Sequence, residues 1–242
     1  MTAALIAAAI GVVAFLYSAV GHAGASGYIA VLTLAGLSAS VVRPTALVLN
    51  VLVAALGTWQ FFRAGHFRWS LFWPFALLSV PAAYLGGSID VPTDLFKRIV
   101  GAVLLLSAAR FLTQLRDPVA PRAPSWTIAV GVGALLGFLA GLTGTGGGIF
   151  LTPVMLLAHW AGTKETAAVS APFILVNSIA GLAGFLQTGQ PLPSFAPALA
   201  VVAVAAGGLG SYLGSRRFPV RTIRLLLGLV VTFAGAKLAF GW

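Results

Sequence analysis

WTIAVGVGALLGFLAGLTGTGGGIFLTPVMLLAHW, residues 126–160, holds the pattern that decides the fold. It opens with an apolar run of 17 residues, Trp126–Leu142, free of any charge. A helix of that length is about 26 Å long, close to the roughly 30 Å hydrocarbon core of a bilayer. Glycine then breaks the run: Gly141-Leu142-Thr143-Gly144-Thr145-Gly146-Gly147-Gly148. A shorter apolar segment follows, Ile149–Trp160. At about 1.5 Å per residue it reaches only half-way across a bilayer.

The rest of the chain repeats this pattern. Of its 242 residues, 60% are apolar and 7% charged, where a soluble domain carries about 25% charged residues. There is too little polar surface to coat a water-soluble particle. The apolar runs lack the alternation of strands, which excludes a β-barrel. Helices remain, because a backbone in lipid must satisfy its own hydrogen bonds. The net charge of +10 would point to nucleic acid in a soluble protein. Here the basic residues cluster in short loops, as orientation signals do, and no nucleic-acid partner is expected. With no cysteines, disulfides, thiolate metal sites and cysteine nucleophiles are excluded. Met1 to Val20 is apolar without a basic leading region, and reads as a first spanning helix rather than a cleaved signal.

Two halves are visible in the residues themselves. Gly21, Gly24 and Gly27 match Gly141, Gly144 and Gly147 at an offset of 120, and Asn50, Gly57 and Gln60 match Asn177, Gly184 and Gln187 at 127. Tyr84-Leu85-Gly86 matches Tyr212-Leu213-Gly214 at 128. The expected domains are a first transmembrane repeat over 1–112, a polar linker over 113–125 and a second repeat over 126–242. Each repeat reads as about five helical segments. The first has Ala3–Val20, Tyr28–Leu37, Val42–Phe62, Trp69–Gly87 and Leu95–Leu112. The second has Trp126–Leu142, Ile149–Trp160, Thr166–Gln187, Phe195–Gly214 and Thr222–Phe240.

Loop charges set the orientation. Arg63 and Arg68 follow the third segment of the first half, while no charge follows the third segment of the second. Arg216, Arg217, Arg221 and Arg224 follow the fourth segment of the second half, where the first has the cancelling set Asp90, Asp94, Lys97 and Arg98. Positive loops stay cytoplasmic. Equivalent loops with opposite bias therefore predict two inverted-topology repeats, with both chain ends outside. The fold class is all-α integral membrane, with a Gly-rich broken or re-entrant helix in each repeat. That is a secondary-transporter architecture, with the substrate site near the midplane where the repeats meet.

Site residues follow from the breaks. The first reads Gly21-His22-Ala23-Gly24-Ala25-Ser26-Gly27. If each short helix ends at a surface, its N-terminal N–H groups point into the interior, without intrahelical partners and with partial positive charge. Such a terminus binds anions. Glycines at this spacing also serve helix packing, but four within five residues at Gly144 to Gly148 exceed that need. The four acidic residues, Asp90, Asp94, Asp117 and Glu165, fall in loops or at helix ends, whereas a cation carrier normally buries a carboxylate. The substrate-binding candidates are Gly24, Ala25, Ser26, Gly27, Thr143, Gly144, Thr145, Gly146, Gly147, Gly148, Asn50, Asn177 and Ser170. Asn50 and Asn177 serve equally well as interhelical glue. His22 is the candidate proton or anion relay. Arg43 reads first as an interfacial anchor, and second as a vestibule charge that attracts anions. Gln60, Gln187, His66, His159 and the tryptophans are expected at the interfaces. No catalytic group, metal or cofactor is expected.

The run Gly141 to Pro153, followed by Ala168-Val169-Ser170, resembles the signature stretches of the sulfite exporter TauE/SafE family of bacterial membrane permeases. The first half departs from that pattern, with Ala25-Ser26-Gly27-Tyr28 opposite Thr145 to Gly148 and Thr33 opposite Pro153. The resemblance implies a multi-pass protein of the bacterial inner membrane that moves small sulfur-containing anions, such as sulfite or organosulfonates, often outward. The expected partners are a small anion, the bilayer and a second copy of the chain. The expected mechanism is alternating access, driven by an ion gradient, the membrane potential or the substrate's own gradient. Its rivals are an anion channel with the same site and a carrier of another organic anion. A membrane-embedded enzyme and a non-transporting scaffold fit the residues less well.

Overall fold

The computed structural model describes residues 2–113, 121–216 and, in the last segment, 225, 228, 232, 235 and 236. Among the described residues the chain is all-helical. The elements are α1 (Ala3–Ser18), α2 (Ala25–Leu34), α3 (Ala39–Arg63), α4 (Trp69–Ser88), α5 (Thr93–Thr113), α6 (Trp126–Thr143), α7 (Gly148–Leu157), α8 (Thr163–Gln187) and α9 (Ala196–Arg216). Five of them (α3, α4, α6, α8 and α9) are long and apolar enough to cross a membrane, while α1, α2 and α7 are apolar but shorter. Leu106, Val201, Leu135 and Val12 are among the apolar side chains left exposed. Water would oppose that exposure, and lipid does not. The chain is a multi-pass membrane protein.

Most boundaries read from the sequence hold to within a turn. Three helices start three residues earlier than expected: α2 at Ala25 rather than Tyr28, α3 at Ala39 rather than Val42, and α8 at Thr163 rather than Thr166. The reason is shared. Small and polar residues at these starts carry little hydropathy, but each helix still extends to a backbone cap, at Gly24, Ser38 and Gly162. The expected tenth segment, Thr222–Phe240, and most of the linker lie outside the described residues.

Helix directions follow from the contacts. Arg68, just before α4, pairs with Glu165 in the first turn of α8. Tyr84 near the end of α4 donates to Gln187 at the end of α8. These two helices therefore run parallel. A short turn joins α3 to α4, which makes α3 antiparallel to α8. Their facing pairs agree: Arg43 with Phe185, Leu47 with Gly181, Asn50 with Ser178, and Gly57 with Ala171. Alongside this central pair, α4 runs parallel to α6 and α1 runs parallel to α9. Glycine lets both outer pairs approach backbone to backbone. A Cβ at Gly137 would collide with the Ser79 carbonyl, and one at Gly210 with the Phe15 carbonyl.

The short helices close hairpins. α6 begins beside the start of α4, and α7 returns toward the start of α8 after the break, with Trp160 against Phe75 of α4. α1 begins at the opposite end of the molecule, beside the start of α9, and α2 returns there to lead into α3. The two hairpin tips thus enter the protein from opposite ends.

Candidate functional site

The tips meet. α2 starts from Gly24 at φ 101° and α7 from Gly147 at φ 86°. Both values lie in the left-handed region that glycine alone enters freely. The turn they permit lets a helix begin in the interior of the protein. Every residue from Gly21 to Ala30 is buried, as is every residue from Thr143 to Ile149. His22 of the first break lies beside Gly148 of the second, whose added Cβ would sit 3.6 Å from the His22 Cδ2.

Between them is a small cavity lined by Tyr17, His22, Ala23, Gly24, Ala25, Ser26, Asn50, Thr145, Ile149 and Ile174. Its volume of about 10 Å³ holds about one water. The first-turn amides of α2 at Ala25, Ser26 and Gly27 find no acceptor among the described residues, while the Tyr28 N–H closes the first intrahelical bond to the Gly24 carbonyl. The Ser26 hydroxyl donates to the Tyr17 hydroxyl at 3.1 Å, and the Tyr28 hydroxyl to the Ala23 carbonyl at 2.6 Å. These bonds fix the first break against α1. The His22 ring stands edge-on to Tyr17 at 6.4 Å between centroids.

Asn50 is 0% exposed. Its Nδ2 donates to Ser178 Oγ at 3.3 Å, and its Oδ1 has no hydrogen-bond partner. An amide that leaves one end unpaired in the interior normally has a further ligand. The two amide ends are interchangeable. Turned over, Asn50 accepts from the Ser178 hydroxyl, and its N–H groups take the place of the unpaired Oδ1. The lining is polar on one side, with the hydroxyls of Tyr17, Ser26 and Thr145 beside Asn50, and holds no carboxylate. Among the described residues, no three His, Asp or Glu side chains come together as a metal site.

The predicted residues divide. Gly24, Ala25, Ser26, His22, Asn50 and Thr145 line the cavity. Thr143 bonds to Thr145 at 2.9 Å and supports it from behind. Gly146, Gly147 and Gly148 form the wall of the turn by lacking side chains. A Cβ on Gly146 would lie 2.6 Å from Ser178 Oγ and 2.8 Å from Asn50 Nδ2. Gly27 packs on Val13 of α1, and Gly144 on the backbone of Arg43. Ser170 pairs with Thr152 at 2.9 Å, between α7 and α8. Asn177 is 0% exposed with both amide atoms unpaired, and it lies outside the cavity lining. The helical rotation that points Ser178 at Asn50 turns Asn177 away. Tyr17, Ser178, Ile149 and Ile174 belong to the site and were missed. Tyr17 carries a faint signal, one turn before the first break.

Arg43 is a correction. It is not an interfacial anchor, being 2% exposed. Its Nη1 donates to the Ile89 carbonyl at 2.9 Å, and its Nη2 faces the carbonyls of Gly86, Gly87 and Gly141 at 3.2–3.3 Å. Its position within α3 explains the error. The helix begins at Ala39, so Arg43 lies more than a turn inside it and faces α4 and α6. There the guanidinium caps the C-terminal carbonyls of α4, where the helix dipole favours a cation. Trp59, Trp69, Trp73 and Trp126 are more than half exposed near helix ends, as expected of an aromatic belt. Gln187 is exposed, whereas Gln60 reaches the Gly208 carbonyl of α9 at 3.3 Å.

The model of the family described as sulfite exporter TauE/SafE matches residues 5–238, nearly the whole chain. The chain belongs to that family. It is 40% identical over 232 residues to a protein of Sinorhizobium fredii named probable membrane transporter protein y4hK, with 94% of each chain covered. It is 28% identical over 114 residues to Bacillus subtilis probable membrane transporter protein YunE, covering 47% of this chain and 41% of that one. A third relative, probable membrane transporter protein MJ0441 of Methanocaldococcus jannaschii, is 26% identical over 125 residues, or 50% of this chain and 46% of that one. No solved structure matches. The family is one of membrane transporters.

Proposed function

We propose that this chain is a secondary transporter of small sulfur-containing oxyanions, such as sulfite or organosulfonates, working by alternating access around the cavity between the two breaks. One observation carries the reading: Ala25 and Ser26, whose first-turn amides are unpaired, and the half-satisfied Asn50 line one small buried cavity together with Thr145 and Ile149 of α7. Converging donors without a carboxylate favour a compact anion. The family supplies the sulfur chemistry.

Inverted repeats are part of the proposal. The antiparallel α3 and α8 support it, because they are the third segments of the two halves. So do the outer pairs: α1 with α9 and α4 with α6 are the same pair with the halves exchanged. In this frame α2 and α7 are re-entrant. The basic end, with Arg63, Arg68 and Arg216, faces the cytoplasm of a bacterial inner membrane. The polar linker joins a repeat over 1–112 to one over 126–242. The cavity admits about one water, so an oxyanion enters only when the halves move apart. A closed centre of this kind favours a carrier over a channel. Outward movement of an anion is favoured by an interior-negative potential, by about 2.3 kcal/mol per charge per 100 mV, without a coupled ion.

The test is efflux from proteoliposomes across a panel of sulfite, sulfonates and unrelated oxyanions, with Gly146→Leu and Asn50→Ala beside the parent. Saturable efflux of sulfur oxyanions, lost in both variants, is expected. Unitary currents would assign the chain to a channel, and unchanged efflux in both variants would remove the site.

A further inference from the structure

A second cavity, of about 420 Å³, opens at the end of the molecule where α3 begins. It is lined by Ala39, Ser40, Asp90, Val91, Pro92 and Gln190. Ala39 and Ser40 are the first residues of α3. Arg43 lies one turn below them, Leu47 one turn further and Asn50 next, so a single buried stripe of α3 runs from this vestibule toward the central cavity. The α3–α8 contacts follow the same stripe. Arg43 lies against Phe185, Leu47 against Gly181 and Asn50 against Ser178. Gly181 also touches Gly141 of the second break, and the Gly141 carbonyl is one of the acceptors of Arg43.

Among the described residues Arg43 is the only buried side chain with a permanent charge. Its partners are four carbonyls, none of them a carboxylate, and its Nε has no partner at all. The dipole at the end of α4 and Asp90 nearby favour a cation here, but no carboxylate hydrogen-bonds to it, and a buried charge held by carbonyls alone is costly to keep. The carbonyls come from two helices, α4 and α6, so the guanidinium ties the end of α4 to the second break.

We infer that Arg43 is the gate cation on the route between the vestibule and the central cavity. Held by the carbonyls it closes the route, and released from them it serves as the transient counter-ion of the passing anion. The inference rests on the transport reading above, and names the residue that gives one route its charge preference.

The chain has no cysteines, so a single Leu47→Cys variant of the full chain reports on the route. Membrane-impermeant methanethiosulfonates, one anionic and one cationic, are added outside intact cells. Slow labelling at rest, faster labelling during efflux of an organosulfonate, which unlike sulfite does not consume the reagent, and a preference for the anionic reagent are expected. Adding Arg43→Met should reduce that preference about tenfold, as befits loss of a charged partner. Should that protein fail to fold, Arg43→Lys keeps the charge but loses the fork. It should keep the anionic preference while raising labelling at rest. A reagent preference unmoved by Arg43→Met, or labelling at rest unmoved by Arg43→Lys, overturns the inference. Sulfite efflux by the parent chain is measured in parallel, so failure of the transport reading shows separately.

Discussion

Replacing Asn50 by aspartate changes the charge of the central cavity and little else. The carboxylate has the shape of the amide, and the Ser178 hydroxyl, now 3.3 Å from Asn50 Nδ2, turns to donate to it. Because the cavity holds about one water, a guest there has its centre within about 4 Å of the side chain. At a pH high enough to keep this buried carboxylate ionised, two like charges at that distance repel by about 4 kcal/mol at an effective dielectric constant of about 20. That is about a thousandfold loss of affinity. Asn50→Ala is the comparison. It removes only a donor to a charged guest, worth about 1.5–3 kcal/mol, or about ten- to a hundredfold. The assay is equilibrium binding of radiolabelled sulfite to purified protein in detergent, with thermal unfolding confirming that both variants fold. The expected order is parent, then Asn50→Ala, then Asn50→Asp. If Asn50→Asp binds sulfite as well as Asn50→Ala, no anion sits beside Asn50 and the central argument fails.

Gly146→Ala should already impair efflux, because its Cβ would crowd Ser178 Oγ at 2.6 Å and φ is +70°. Gly131→Ala, with open space around the added Cβ, should transport like the parent in the same assay. At the α4–α6 seam, Gly137→Leu should lower stability by about 1–3 kcal/mol through overpacking against Ser79, read as a drop in the unfolding midpoint in detergent. Arg68→Ala should change that midpoint very little, since its 3.4 Å bridge to Glu165 is half exposed and such pairs contribute about 0–1 kcal/mol.

Much of the fold is legible along the chain because a bilayer imposes a length on every crossing helix. The uninterrupted run Trp126–Leu142 and the glycines that end it identify a helix and its break without any tertiary information. Asn50 stands out as a polar residue inside an apolar run, and Ser26 and Thr145 by lying within the breaks. Matching residues of the two halves recur at nearly constant spacing, which is what suggests a repeat. All of these signals are local, or compare one local pattern with another.

What needed the tertiary structure was the rotation of each helix about its axis. Asn50 and Asn177 are equivalent in the repeat, but the antiparallel crossing of α3 and α8 brings Asn50 to Ser178 and leaves Asn177 outside the cavity. Arg43 at the start of an apolar run looks the same in sequence whether it snorkels to water or turns inward. Its fate depends on the carbonyls of Gly86, Gly87, Ile89 and Gly141, up to 98 residues away. Hydropathy and length determine that a helix lies in the membrane. Which face meets which neighbour is settled by packing between segments distant in the chain, where glycine lets two backbones touch and a single side chain decides how close they come.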